Sequence, residues 1–222
     1  MLLAVDTSTK MVGLALYDGA QVMGELVWQT RNHHTVELAP AVESMFSRCG
    51  LTAHDLSVLA VALGPGSFTS LRIGLAFIKG MALTLHLPVV GVPSLDVLAA
   101  SQPLHTLPMV TLLQAGRDRF ALAWYEADDG AWKVQGDAAV VNLDDLSAQI
   151  KQPTLVVGEL RASVRQTLER NCKDAILVSP ARSMRRPSYL AEIAWKRWQS
   201  HKVDDVVTLS PIYLHTVDSP SE

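Results

Sequence analysis

The sequence has 222 residues, 49% of them hydrophobic and 18% charged, and a formal net charge of −3. That is enough apolar chain to bury a sizeable core, which excludes a disordered protein, and the slightly acidic balance provides no global basic field for nucleic acid. The two cysteines, Cys49 and Cys172, stand far apart and in no metal spacing, so they read as free thiols of a reduced compartment.

In chain order, "LLAVD" (2–6), "MVGLALYDG" (11–19) and "QVMGELVWQ" (21–29) are short apolar runs with tight connections, the pattern of an antiparallel meander. "HTVELAPAVESMFSRCG" (34–50) reads as a helix: Leu38, Val42, Met45 and Cys49 recur on one face, and Gly50 suits the position just past its end. "LSVLAVALG" (56–64) is a continuous apolar run of strand length, as expected of a strand buried on both faces. A helix over 68–86, a strand over 87–92 and a helix over 94–101 with Ser94 as N-cap complete the order βββαβαβα. After the break "SQPLHTLP", strands at 109–115, 119–127 and 132–141, a helix at 143–150, a strand at 154–159, a helix at 160–171, a strand at 175–179 and a helix at 187–200 repeat that order. The pattern predicts an α/β chain of two duplicated lobes, 1–102 and 103–222, with the C-terminal segment free to pack back on the first. The start has no basic region ahead of an apolar stretch, and no apolar run reaches the ~20 residues that cross a bilayer. The expectation is a cytoplasmic protein without membrane contact.

Four stretches carry chemistry. Asp6 ends a buried strand and is followed by Thr7, Ser8 and Thr9. Such a turn can hold a metal-bound water on the carboxylate and a phosphate on its N–H and hydroxyl groups, or it can be a polar hairpin bonded to itself. "LGPGSFTSLRIG" (63–74) has no Lys after its second Gly and no third Gly in dinucleotide spacing, so it is neither standard phosphate loop. Its Gly64, Gly66 and Ser67 can still aim N–H groups at an anion, or simply turn the chain into a helix capped by Ser67 or Thr69. His33 and His34 are adjacent, their side chains diverge, and they read as helix-entry residues and not as a metal pair. Arg182, Arg185 and Arg186 read as a solvated loop before the last helix, because the net charge argues against an RNA contact. No nucleophile–base set can be assembled, which speaks against a peptidase.

Taken together, "LLAVDTSTKMVGLALYDG", "RNHHTVELAPAVESMF", "LAVALGPGSFTSLRIGLAFIKGMA" and "PVVGVPSLDVLA" resemble the TsaB (YeaZ) family of bacterial tRNA threonylcarbamoyladenosine synthesis. The resemblance is strong over 1–100 and looser beyond, where "LLQAGRDRFALAWY" and "LSPIYLH" carry it. It implies the actin/Hsp70/sugar-kinase-like fold with two RNase H-like lobes. It also implies an accessory role and not an enzyme. The family is a scaffold that binds a TsaD-like catalytic paralogue and a TsaE-like ATPase, and tRNA is met only through that complex. The complex forms N6-threonylcarbamoyladenosine at position 37 of tRNAs reading codons that begin with A.

Two departures bear on chemistry. In the catalytic paralogue, two histidines spaced H-x-x-x-H after "GV" hold a metal. Here "GVPSLDVLA" puts Ser94 and Leu98 at or beside those positions, neither a good ligand, so neither a metal nor a catalytic residue is expected. Sugar kinases of this fold carry a Gly after the Asp, and Thr7 stands there instead, with a branched side chain that hinders a phosphate. Asp6, Thr7, Ser8, Thr9, Gly64, Gly66 and Ser67 then form a vestigial nucleotide site. No cofactor of the chain's own is expected, and ATP or ADP is left only for the interface of the complex. The alternative is a small-molecule kinase or ATPase of the same fold using Asp6. The family packs its helices 34–49 and 68–86 on the paralogue, or on a second copy as a homodimer. Helix 34–49 is apolar on more than one face, with Leu38, Val42 and Met45 on one and Ala39, Ala41 and Phe46 at other angles. With Arg72 and Phe77 from the next helix, these are the expected interface residues.

Overall fold

The computed structural model describes residues 1–31, 33–116 and 118–214. Its elements are β1 (Leu2–Asp6), β2 (Met11–Tyr17), β3 (Val22–Gln29), α1 (His34–Cys49), β4 (Val58–Ala62), α2 (Phe68–Leu85), β5 (Val89–Val92) and α3 (Ser94–Ala100). There follow β6 (Met109–Gln114), β7 (Phe120–Asp128), β8 (Ala131–Val141), α4 (Leu143–Gln149), β9 (Thr154–Gly158), α5 (Ala162–Asn171), β10 (Ala175–Leu177) and α6 (Pro187–Gln199). Every expected element is present, its ends shifted by at most two residues.

The two sheets have the same construction. The first is ordered β3-β2-β1-β4-β5 and the second β10-β9-β6-β7-β8, so β6 takes the place of β1. In each, the central strand pairs antiparallel with the next strand in sequence and parallel with the one that follows the first long helical connection. The duplicated order legible in the sequence is therefore a duplicated topology.

The chain divides into two compact units. One comprises Met1–Val97 with Arg185–Ile212, and the other is built on Leu98–Met184. The division falls at Val97/Leu98, where the sequence suggested 102/103, and the segment holding α6 belongs with the first unit. Residues 215–222 of the expected second lobe lie outside the described residues.

Strands β1, β2, β4 and β5 of the first sheet are buried on both faces, which is why they read as unbroken apolar runs, while the edge strand β3 is half-buried to exposed. Strand alternation sorts the side chains. Leu3, Val5, Leu14, Leu16, Leu59 and Val61 meet Leu38, Val42 and Met45 of α1 and Leu75 and Ile78 of α2 on one face. Leu2, Ala4, Ala15, Val58, Ala60 and Val90 meet Leu190, Ala191 and Ala194 of α6 on the other. The second face is rich in alanine, and small residues on both sides let α6 lie close to the sheet.

The start of α6 is fixed by chemistry that the sequence did not reveal. Pro187 sits in the first turn, where its missing N–H costs no bond. Ser188 donates its backbone N–H (3.0 Å) and its hydroxyl (2.6 Å) to Oε1 of Glu25 on β3, and Arg186 donates Nε–H to Oε2 at 3.1 Å. Burial pushes the Glu25 carboxyl up, but the bonds from Arg186 and Ser188 outweigh it and hold the group below its usual range. The far edge of this sheet is closed as well: Asp204 N–H donates to Val89 O at 2.9 Å, and Gly91 N–H donates to Asp204 Oδ2 at 2.7 Å.

In the second unit, α4 and α5 cover Val110, Leu112, Phe120, Leu122 and Val156 with Leu146, Ile150 and Leu168. Asn142 caps α4 by accepting the Asp145 N–H at 2.8 Å. Helix α2 of the first unit spans 18 residues at a mean hydropathy of 1.3, long and apolar enough by composition to cross a membrane. Here its inner side packs on the first sheet, while Phe68 and Leu83 remain exposed.

Candidate functional site

The Asp6 turn and the glycine loop meet in the first unit, and their polar groups are bonded to one another. Asp6 is 2% exposed. Its Oδ1 accepts the Ser8 N–H at 2.8 Å, and its Oδ2 accepts Nε–H of Arg185 at 2.8 Å. Arg185 is 3% exposed, and its second nitrogen donates to Thr9 Oγ1 at 3.0 Å and to Met11 O at 3.3 Å. The expected solvated arginine loop is thus wrong for Arg185, which is a core residue, because a buried carboxylate across the fold draws the guanidinium inward. Arg182 is exposed, and Arg186 is half exposed and bonded to Glu25.

The glycine loop donates inward too. Ser67 N–H donates to Ser8 O at 2.7 Å, Gly64 N–H to Ser94 Oγ at 3.1 Å, and Thr7 Oγ1–H to Ser70 O at 2.7 Å. Ser8 Oγ and Ser94 Oγ share a hydrogen bond. Ser94 is therefore the first residue of α3 with its hydroxyl turned back to the loop, and the N-cap role expected of it is corrected. Ser67 holds the N-cap position of α2, but its side chain makes no cap bond; its Oγ accepts the Ser70 hydroxyl instead. His34 is buried and donates Nε2–H to Thr9 O at 3.0 Å, while His33 lies exposed near Glu37. Two glycines make this packing feasible. A Cβ on Gly66 would overlap the Ser8 carbonyl oxygen, and one on Gly74 would overlap Thr7 Oγ1. Leu98 is fully buried. Among the described residues no three His, Cys, Asp or Glu side chains converge to hold a metal ion.

An open feature lies on the outer side of α1 and α2. A shallow groove of about 490 Å³ is lined by Ala39, Val42, Glu43, Phe46, Ser47, Leu51, Thr52, Ala53, Phe77 and Met81. Of the expected interface residues, Ala39, Val42, Phe46 and Phe77 line it. Leu38 and Met45 do not: they are 2% and 6% exposed and pack under the helix, so a charge at Met45 would strike the core. Ala41 is half-buried against the same core. Arg72 is exposed off the groove, its guanidinium 3.8 Å from the centre of the Phe68 ring. Met81 was missed although it stands one helical turn beyond Phe77. Leu51–Ala53 reach the groove because Gly50 reverses the chain in a left-handed conformation.

Residues 28–185 match the family described as TsaD, tRNA N6-adenosine threonylcarbamoyltransferase. The chain belongs to that family. Its curated relatives include the tRNA threonylcarbamoyladenosine biosynthesis protein TsaB of Bacillus subtilis, 29% identical over 100% of this chain and 96% of the relative. TsaB of Haemophilus influenzae is 27% identical over 96% and 92%. The solved structure of YeaZ from Pseudomonas aeruginosa superposes with a TM-score of 0.80 at 22% identity, covering 96% of this chain and 99% of that one. The ethanolamine utilization protein EutJ of Carboxydothermus hydrogenoformans matches at a TM-score of 0.53 and 12% identity, over 86% and 88%. The TsaB (YeaZ) resemblance read from the glycine loop and its surroundings is borne out, and so is the actin/Hsp70/sugar-kinase-like fold. Ser94 is bonded to the glycine loop and Leu98 lies in the core.

Proposed function

We propose that the chain is a non-catalytic accessory subunit in the cytoplasmic formation of N6-threonylcarbamoyladenosine on tRNA. It binds a TsaD-like catalytic paralogue through the groove of α1 and α2, works with a TsaE-like ATPase, meets tRNA only within that complex, and pairs with a second copy when alone. The observation that carries this reading is the groove. Apolar side chains at Ala39, Val42, Phe46, Phe77 and Met81 line one concave strip: Val42 and Phe46 are its buried floor and belong to the core, Phe77 and Met81 are half-buried, and Ala39 is exposed. A helix apolar on two sides has a second surface to pack on. The likeness to proteins named TsaB over the whole chain supplies the pathway. The kinase or ATPase reading through Asp6 gains no support, since both carboxylate oxygens already accept bonds from the chain.

A double variant of exposed rim residues, Ala39→Arg with Ser47→Arg, tests the groove. Surface changes of this kind move stability by about 0.5 kcal/mol or less. The melting temperature is expected to stay within ~2 °C of the unaltered chain. Two bulky charges against an apolar partner are expected to weaken co-purification with the paralogue at least about tenfold, equal to ~1.4 kcal/mol. A variant that is folded and still binds the paralogue fully places the interface elsewhere.

A further inference from the structure

The fold family implies a nucleotide whose phosphates and cation lie at the turn after the first strand, and the residues of this chain do not fit one. We infer that Arg185 is a built-in counter-ion of Asp6, and that the turn it closes is a structural lock and not a nucleotide site.

A nucleotide here needs three things, and the chain has committed each of them elsewhere. It needs an open carboxylate for the hydrated cation. Asp6 is 2% exposed, Arg185 Nε–H holds one of its oxygens at 2.8 Å and Ser8 N–H the other at 2.8 Å. It needs N–H groups facing the phosphates. Those of Ser67 and Gly64 donate to Ser8 O and Ser94 Oγ. It needs room between the two loops. Gly66 abuts the Ser8 backbone and Gly74 abuts Thr7, so closely that neither glycine has space for a methyl group.

The choice of arginine follows from the same geometry. Its planar fork reaches a carboxylate, the Thr9 hydroxyl and the Met11 carbonyl at once, which a lysine's single nitrogen cannot match. Asp6 and Arg185 stand 179 residues apart. The pair therefore ties the first turn of the chain to the segment that leads into α6, whose Ser188 is bonded to Glu25. The sequence lets an arginine from the far end of the chain take up the charge that a nucleotide-binding relative leaves for its ligand. This inference stands whether or not the accessory role does.

The test has two arms. In the first, the unaltered full chain is dialysed against millimolar Mg·ATP and Mg·ADP; no binding is expected. Binding of either nucleotide to the unaltered chain would overturn the lock. In the second, Asp6→Asn, Arg185→Gln, Arg185→Lys and the double Asp6→Asn/Arg185→Gln are compared in thermal unfolding. Removing one member of a buried pair leaves the other charge or its bonds without compensation. Each single change is expected to lower the melting temperature by roughly 10 °C. The double variant should lose no more than the worse single one, and the lysine should rescue only in part. Losses that simply add in the double variant contradict a direct pair. The first arm needs no variant, so a failure of any variant to fold leaves it decisive.

Discussion

Gly66→Ala is expected to lower the melting temperature by roughly 10 °C, although the residue is neither in a helix nor in a strand. The added Cβ would overlap the carbonyl oxygen, carbon and Cα of Ser8, all backbone atoms of a turn that cannot swing aside as a flexible side chain could. Relief requires the glycine loop to move off the β1–β2 turn. That movement breaks the 2.7 Å Ser67 N–H to Ser8 O bond and takes a partner from the carbonyl of the fully buried Ser8. Overpacking costs about 1–3 kcal/mol and an orphaned buried group another ~1–3. At ~2–4 °C per kcal/mol for a chain of this size, the two add to the shift stated. Gly80, with open space around its Cβ position, is the control: Gly80→Ala within α2 should leave stability unchanged or raise it by up to ~1 kcal/mol. Thermal unfolding of the two variants side by side decides it. Equal effects would show that the loop contact is not a close one.

Leu190→Asp is expected to abolish folding of the first unit, and a chain ended at Met184 should behave the same way. Leu190 is fully buried against Leu2, Ala4, Val58, Ala60 and Val90. Losing a buried leucine side chain costs about 2–5 kcal/mol, and burying a carboxylate without a partner adds several more. The sum approaches the ~5–15 kcal/mol that holds a whole domain together. Truncation is harsher. It strips one apolar face of a sheet whose strands are hydrophobic on both sides, and it removes Arg185 from Asp6. The readout is soluble yield and the near-ultraviolet circular dichroism of Trp28, the first unit's tryptophan outside α6. A soluble, cooperatively folding 1–184 chain would show that α6 is dispensable.

These two cases show where sequence reading succeeds and where it stops. Strands β1, β2, β4 and β5 were legible because burial on both faces writes an unbroken apolar run, and α1 because Leu38, Val42 and Met45 recur on one face. The duplicated order was legible as a pattern of elements although no residue-level repeat accompanies it. The inward contacts were not. Nothing local marks Arg185 as different from Arg182 and Arg186, since its partner lies 179 positions earlier. Glu25 reads as an ordinary outward residue of an edge strand until α6 brings Ser188 against it. Ser94 looks like a helix cap because serine before an apolar run usually is one; its hydroxyl is drawn instead to Gly64 and Ser8. The groove was half legible. Helical spacing separated Ala39 from the core positions, but it could not tell that Phe46 serves both the core and the groove or that Leu51 and Ala53 return to its rim.

The most direct test of the accessory role is a reconstitution. The TsaD-like paralogue, the TsaE-like ATPase and an enzyme making threonylcarbamoyl-adenylate are mixed with tRNA, ATP, threonine and bicarbonate, with and without this chain, and modified adenosine is measured. Modification that requires the chain, while the chain alone turns over no ATP, is the predicted result. Modification that proceeds equally well without it, or ATP turnover by the chain alone that Asp6→Asn abolishes, would contradict the account.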